Sequence, residues 1–139
     1  MGVKLSTESI RYIALFESLT GANVKDCLIY DDKVIFLVRK GDMGLAIGKG
    51  GINVEKAKEI IGKRVEVLEH SDDPVEFIQN LFRPIRVKVS LVEKEGKRTA
   101  IVQAPAQYKG LVIGKGGKNI NKVKELVRRH HDIENVIVK

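Results

Sequence analysis

Two short stretches hold the residues whose types and spacing could do chemistry. Leu45-Ala46-Ile47-Gly48-Lys49-Gly50-Gly51-Ile52-Asn53-Val54 is matched by Leu111-Val112-Ile113-Gly114-Lys115-Gly116-Gly117-Lys118-Asn119-Ile120, with seven of ten positions identical at a constant offset of 66. The chemistry open to such a stretch is anion binding. Glycine reaches positive φ and lets another backbone come close. A glycine loop that opens a helix presents free N–H groups and the positive end of the helix dipole to a phosphate. Lys49 adds a mobile cation to the first loop, and Lys115 and Lys118 add two to the second. A tight turn between helices can also need glycine without binding anything. Two near-identical loops, each preceded by an apolar residue (Ile47, Ile113) and followed by a basic helix, favour the binding reading.

Other glycine chemistry fails on spacing. A nucleotide P-loop needs Gly five positions before Gly48 and Ser or Thr after Lys49, where the chain has Met43 and Gly50; around Gly114 it has Lys109 and Gly116. A dinucleotide fingerprint needs glycine where Asn53 and Asn119 stand. No His/Cys cluster has metal-ligand spacing: His70 stands alone, and His130-His131 suit the end of a basic helix. No nucleophile and base are paired by motif, and Cys27 falls in a strand-like run as a core residue. No enzyme activity, cofactor, metal or small-molecule substrate is expected.

The elements that must position these loops repeat with them, which points to two copies of one unit, residues 1–70 and 71–139. In the first, Ser6 or Thr7 caps a helix over 7–20 whose apolar positions are Ile10, Ile13, Ala14 and Leu19, and Gly21 suits its end. Strands over 24–30 and 33–39 turn at Asp31-Asp32. A short helix over 42–47 leads into the loop, and a helix over 51–62 and a strand over 64–69 follow, with Val65 and Val67 facing inward.

In the second unit Asp73 caps a helix, Pro74 takes its first position, and the helix ends before Pro84. Residues 85–91 alternate with period two and read as a strand with one basic, wet side, and Glu95-Gly96 turns the chain into a strand over 98–104. A short helix over 106–113, the loop, a helix over 117–130 and a strand over 133–138 complete the copy. A crossover through two helices makes the last two strands of each unit parallel, and the hairpin adds an antiparallel one. Each unit is thus a three-stranded mixed sheet packed against three helices, an α+β fold.

Composition fits a polyanionic partner. The net charge of +7 lies mainly in the second half, with 14 Lys/Arg against 8 Asp/Glu in residues 71–139 and 11 against 10 in residues 1–70. A basic half of this kind suits nucleic acid. Aromatic residues make only 5% and Trp is absent, which disfavours modules that stack bases on a sheet. One cysteine allows no intrachain disulfide, no apolar run approaches the roughly 18 residues that span a bilayer, and the first residues lack a signal-peptide core. A reducing, cytoplasmic setting without membrane contact is expected.

Ile-Gly-Lys-Gly-Gly-x-Asn-Ile/Val inside a helix–turn–helix resembles the KH RNA-binding module, whose GxxG loop clamps the backbone of about four nucleotides. The extra helix and strand ahead of the core resemble the type II variant. Ser71-Asp72-Asp73-Pro74-Val75-Glu76-Phe77-Ile78-Gln79-Asn80-Leu81 is similar to the segment joining the tandem KH modules of the NusA-like transcription termination/antitermination family, above all its short archaeal type built of the KH pair alone. The resemblance implies two tandem type II KH domains, nascent single-stranded RNA as partner, RNA polymerase as a candidate second partner, and a role in termination, antitermination or pausing.

The expected RNA site follows the repeat. Gly48, Lys49, Gly50 and Gly51, with Gly114, Lys115, Gly116 and Gly117, hold phosphates through backbone N–H groups and charge. Lys118, Lys122 and Arg129 extend the charge along one solvent-facing side of the last helix, opposite Ile120, Val123 and Val127. Ile47, Ile52, Ile113 and Ile120 offer a floor for bases. Three other readings remain: a type II KH protein of the ribosome or an RNA-processing assembly, a KH-fold protein-interaction module, and an enzyme.

Overall fold

A computed structural model describes residues 5–139. The chain divides into two compact units, Met1–Ser71 and Asp72–Lys139. The first runs α1 (Thr7–Thr20), β1 (Val24–Ile29), β2 (Lys33–Val38), α2 (Met43–Ile47), α3 (Ile52–Ile61) and β3 (Arg64–Glu69). The second runs α4 (Pro74–Phe82), β4 (Lys88–Lys94), β5 (Lys97–Gln103), α5 (Lys109–Ile113), α6 (Lys118–His131) and β6 (Asn135–Val138). The sheets have the order β1-β2-β3 and β4-β5-β6. Each has one antiparallel hairpin and one parallel pair, β2 with β3 and β5 with β6. The expected α+β architecture is what the chain adopts.

Local chemistry sets the element ends. Ser6 Oγ accepts from the Ser9 N–H at 3.0 Å and caps α1, and Gly21, at φ +78°, ends that helix. Asp73 caps α4 through the Glu76 N–H at 3.0 Å, with Pro74 in the first turn. Glu95 and Gly96 both take positive φ in the β4–β5 turn, as a two-residue hairpin requires.

Two expectations need correction, and β1 carries an irregularity. The inward side of α1 carries Ser9, Phe16 and Thr20, while Ile10 and Ala14 face solvent. Phe16 fixes the rotation by stacking on Phe36 of β2, ring centroids 4.1 Å apart. Thr20 can be buried because its hydroxyl donates to the Phe16 carbonyl at 2.7 Å. A bulge between Val24 and Asp26 shifts the β1 register, so that Val24 and Cys27 both join the core with Val34, Phe36 and Val38. Finally, β4 starts at Lys88 rather than Ile85, because its partner strand stops at Gln103 before Pro105, which has no N–H to give a ladder.

The helices flanking the first loop close on this core through small residues, Ala46 of α2 and Ala57 of α3, both fully buried. Val112 and Val123 occupy the matching places in the second unit and are also fully buried. No helix is long and apolar enough to cross a membrane among the described residues.

Candidate nucleic-acid interface

Each loop is a tight 3₁₀ turn, Lys49–Gly51 or Lys115–Gly117, held between two helices. The backbones are copies of each other. Gly48 and Gly114 have φ/ψ of 77°/167° and 79°/163°. Gly50 and Gly116 have 64°/19° and 63°/19°. Gly51 and Gly117 have 80°/14° and 79°/12°. The first pair lies in a region essentially restricted to glycine, and the other two are left-handed.

The first glycine of each loop is also required by contact. A Cβ on Gly48 would lie 2.8 Å from the Asn53 side chain, and one on Gly114 would lie 2.7 Å from the Asn119 backbone nitrogen. Those asparagines hold the loops in place. Asn53 Nδ2 donates to the Leu45 carbonyl at 2.9 Å and Asn119 Nδ2 to the Val112 carbonyl at 2.8 Å. Sequence reasoning gave neither asparagine a role. Their signal was the same polar residue five places after the first glycine in both repeats.

Counting hydrogen bonds narrows what the loops can offer. Gly48 N–H donates to Gly44 at 2.9 Å, Gly51 N–H to Gly48 at 3.0 Å, and Ile52 N–H to Lys49. Gly114, Gly117 and Lys118 repeat the pattern on Gly110, Gly114 and Lys115. Among the described residues, the N–H groups of Lys49, Gly50, Lys115 and Gly116 have no acceptor in the chain. Two N–H groups per loop, rather than four, are therefore open to a ligand, because the 3₁₀ turn uses the others. The side chains of Lys49, Lys115 and Lys118 are exposed beside them.

The apolar floor is partly as expected. Ile47, Ile52 and Ile113 are exposed next to the loops. Ile120 is not: it turns into the core, because its counterpart by the offset of 66 is Val54, while Lys118 is the counterpart of Ile52. Lys122 also departs from the expected solvent-facing stripe and is 2% exposed. The buried arc of α6 includes Leu126 besides Ile120, Val123 and Val127. At 100° per residue, Lys122 lies about 40° from Leu126 and falls inside that arc. Arg129 is half-buried and pairs with Glu125 at 3.6 Å. Of the expected charge stripe, Lys118 is the exposed member.

The two loops differ in what precedes them. In the first, Asp42 leads α2: its carbonyl accepts from Ala46 N–H at 2.9 Å and its carboxylate from Asn23 N–H at 2.9 Å. That backbone N–H, with Arg39 adding charge and a bond at 3.4 Å, holds the Asp42 carboxyl below its ordinary range against the opposing push of burial. The equivalent residue in the second unit is Tyr108, followed by Lys109, so no carboxylate stands before that loop. Among the described residues, no cluster of three or more His, Cys, Asp or Glu could hold a metal.

Known proteins share this architecture. A KH domain model matches residues 10–98, and a model of the NusA-like second KH domain matches residues 74–138. The chain is 40% identical to the "Probable transcription termination protein NusA" of Methanococcus vannielii over 139 residues, covering 99% of this chain and 80% of that protein. It is 39% identical to the protein of the same name from Methanocaldococcus jannaschii over 137 residues, covering 98% and 75%. The crystal structure of APE1850 superposes with a TM-score of 0.83 at 32% identity, covering 97% of this chain and all of the other.

Proposed function

Since the chain belongs to the NusA-like family of KH-domain proteins, we propose that it binds single-stranded RNA at both GxxG loops and acts in transcription termination or antitermination. The observation that carries the reading is the congruence of the two loops, each with two unbonded N–H groups and an exposed lysine at a glycine-only turn. One phosphate is held at each loop by the N–H pair of Lys49 and Gly50 or of Lys115 and Gly116, with the lysine ammonium beside it. Left-handed glycines without a Cβ leave room for the sugar-phosphate chain to lie against the backbone. Bases next to the phosphate rest on Ile47 and Ile52, or on Ile113.

The second unit binds the more tightly. Lys118 replaces Ile52, and its residues hold most of the net positive charge. Relatives that carry the name of a transcription termination protein make the nascent transcript the natural source of the RNA.

The test is fluorescence anisotropy with random single-stranded RNA at low salt. The wild type is compared with a variant carrying Lys49→Asp, Gly50→Asp, Lys115→Asp and Gly116→Asp. Binding by the wild type and a loss of at least tenfold in a variant that still melts cooperatively support the reading. A folded variant that binds like the wild type removes the loops from it. Retention of RNA polymerase on the immobilised chain after RNase treatment distinguishes direct polymerase contact from tethering through RNA.

A further inference from the structure

The two sheets differ on the side turned away from their own helices. In the first unit that side carries Leu28 of β1, Leu37 of β2 and Leu68 of β3, which are 5%, 1% and 6% exposed. When the hairpins are matched at their turns, the same positions in the second unit hold Val92, Ile101 and Ile137. Val92 is 47% exposed, Ile137 is 41% exposed, and Ile101 is half-buried.

The ladder register builds this open face row by row. Lys94 lies opposite Lys97 at the hairpin end. Next come Val92, Thr99 and Asn135, and then Ser90, Ile101 and Ile137. Lys88 and Gln103 form the far row, where Lys139 continues β6 by accepting from Ala104 N–H and donating to Val102. Four exposed lysines thus frame, over a length of roughly 20 Å, an apolar centre edged by hydroxyl and amide groups. The nearest acids leave this frame positive: Glu134 pairs loosely with Lys97 at 3.7 Å, both largely exposed, and Glu95 sits in the turn.

We propose that this helix-free face of the second unit is a docking surface for an acidic protein segment that carries apolar side chains. An apolar centre inside a polar, charged rim is the anatomy of a protein interface, and its cationic frame selects an acidic partner. A second copy of the chain does not fit, since the same lysines would face one another. RNA fits less well, because bases held without a clamp need aromatic platforms and this face has none. The surface is separate from the GxxG loop of its own unit and does not depend on the RNA-binding reading.

The test uses the full-length 15N-labelled chain and amide shift mapping. The probe is an acetylated 12-residue peptide of alternating Glu and Leu, with a Glu/Ser peptide and decauridine as comparisons. The Glu/Leu peptide should shift the amides of Ser90, Thr99, Ile101 and Asn135 saturably, and the Glu/Ser peptide should bind at least fivefold more weakly. Lys88→Glu with Lys94→Glu, both at exposed positions, should weaken the Glu/Leu peptide at least tenfold with an unchanged melting temperature, while decauridine binding weakens by a smaller factor and still moves Lys115 and Gly116. Decauridine should move Lys115 and Gly116 and leave the face still. No shift on the face, equal binding of the lysine variant, or decauridine shifting Ser90 and Thr99 would each overturn the proposal; the last would assign the face to RNA. Decauridine that fails to move either loop counts against the RNA reading alone.

Discussion

Gly114 and Asn119 are in contact through the position where a side chain would be: a Cβ on the glycine would sit 2.7 Å from the backbone nitrogen of the asparagine. The asparagine in turn bonds to Val112, just before the loop. The turn is therefore closed from both ends by one residue, and its first glycine cannot be exchanged. Gly116 has open space around it and is special in its φ alone.

This predicts an ordering of alanine substitutions. Gly114→Ala pays for a glycine-only backbone region and a collision, and should destabilise by about 2–4 kcal/mol. Gly116→Ala, in the left-handed region with free space, should cost about 1–2 kcal/mol. Urea unfolding of the two variants checks the order. Equal losses would mean that the Asn119 contact is relieved at little cost.

Asn119→Ala should remove the staple without adding a clash. The expected loss of stability is about 1 kcal/mol, and RNA affinity should fall several-fold because the loop no longer holds its N–H groups ready. Affinity unchanged while stability falls would show that the loop keeps its shape unaided.

Loop charge should act unequally in the two units. Lys115→Asp with Gly116→Asp should weaken RNA binding at least tenfold, and Lys49→Asp with Gly50→Asp should weaken it less, since residues 1–70 are nearly neutral overall. Anisotropy titrations accompanied by melting curves decide this. The reverse order would place the main contact in the first unit.

Binding should also be salt-dependent. One phosphate at each loop and a further one at Lys118 make about three phosphate contacts. At about −0.7 per contact, the log–log slope for single-stranded RNA should be roughly −2. A flat dependence would show that the positive charge does not meet phosphate.

Acid should loosen the first unit through Asp42. Its carboxyl is held below the ordinary value of 3.8, so the stability it lends is present above that value and is lost as pH falls through the lower folded-state value. Asp42→Asn should therefore be less stable than the parent at pH 6, and the difference should shrink below about pH 4. Thermal melts across that range measure it; a gap that widens in acid would contradict the assignment.

Much of this molecule was legible in its sequence, because its signals are local. The Asp73-Pro74 start, the Glu95-Gly96 turn and the repeated glycine loop each depend on neighbouring residues, and each appears where expected. What was not legible depends on packing at a distance. The rotation of α1 is set by Phe36, more than a dozen residues away from Phe16. The start of β4 is set by where β5 ends. Lys122 looked solvated because it is a lysine opposite Ile120, and only the breadth of the buried arc places it inside. In the loops the glycines were visible, but which N–H groups remain open followed only from hydrogen bonds across the turn.

The bulge in β1 makes chain length a matter for the first loop. It sets the phase between Cys27 and the beginning of the strand, where Asn23 accepts from Arg39 N–H and donates to the Asp42 carboxylate at the head of α2. Removing Lys25 would close the bulge in register, with Val24 still opposite Val38 and still inward. One residue added beside Lys25, beyond the one the bulge absorbs, would instead turn Val24 outward and draw Asn23 away from Asp42. A gain of chain length in a strand would then be felt at Gly48 without any contact between the two sites. At this point of the fold a substitution is a local event and a deletion is absorbed, while an insertion is transmitted.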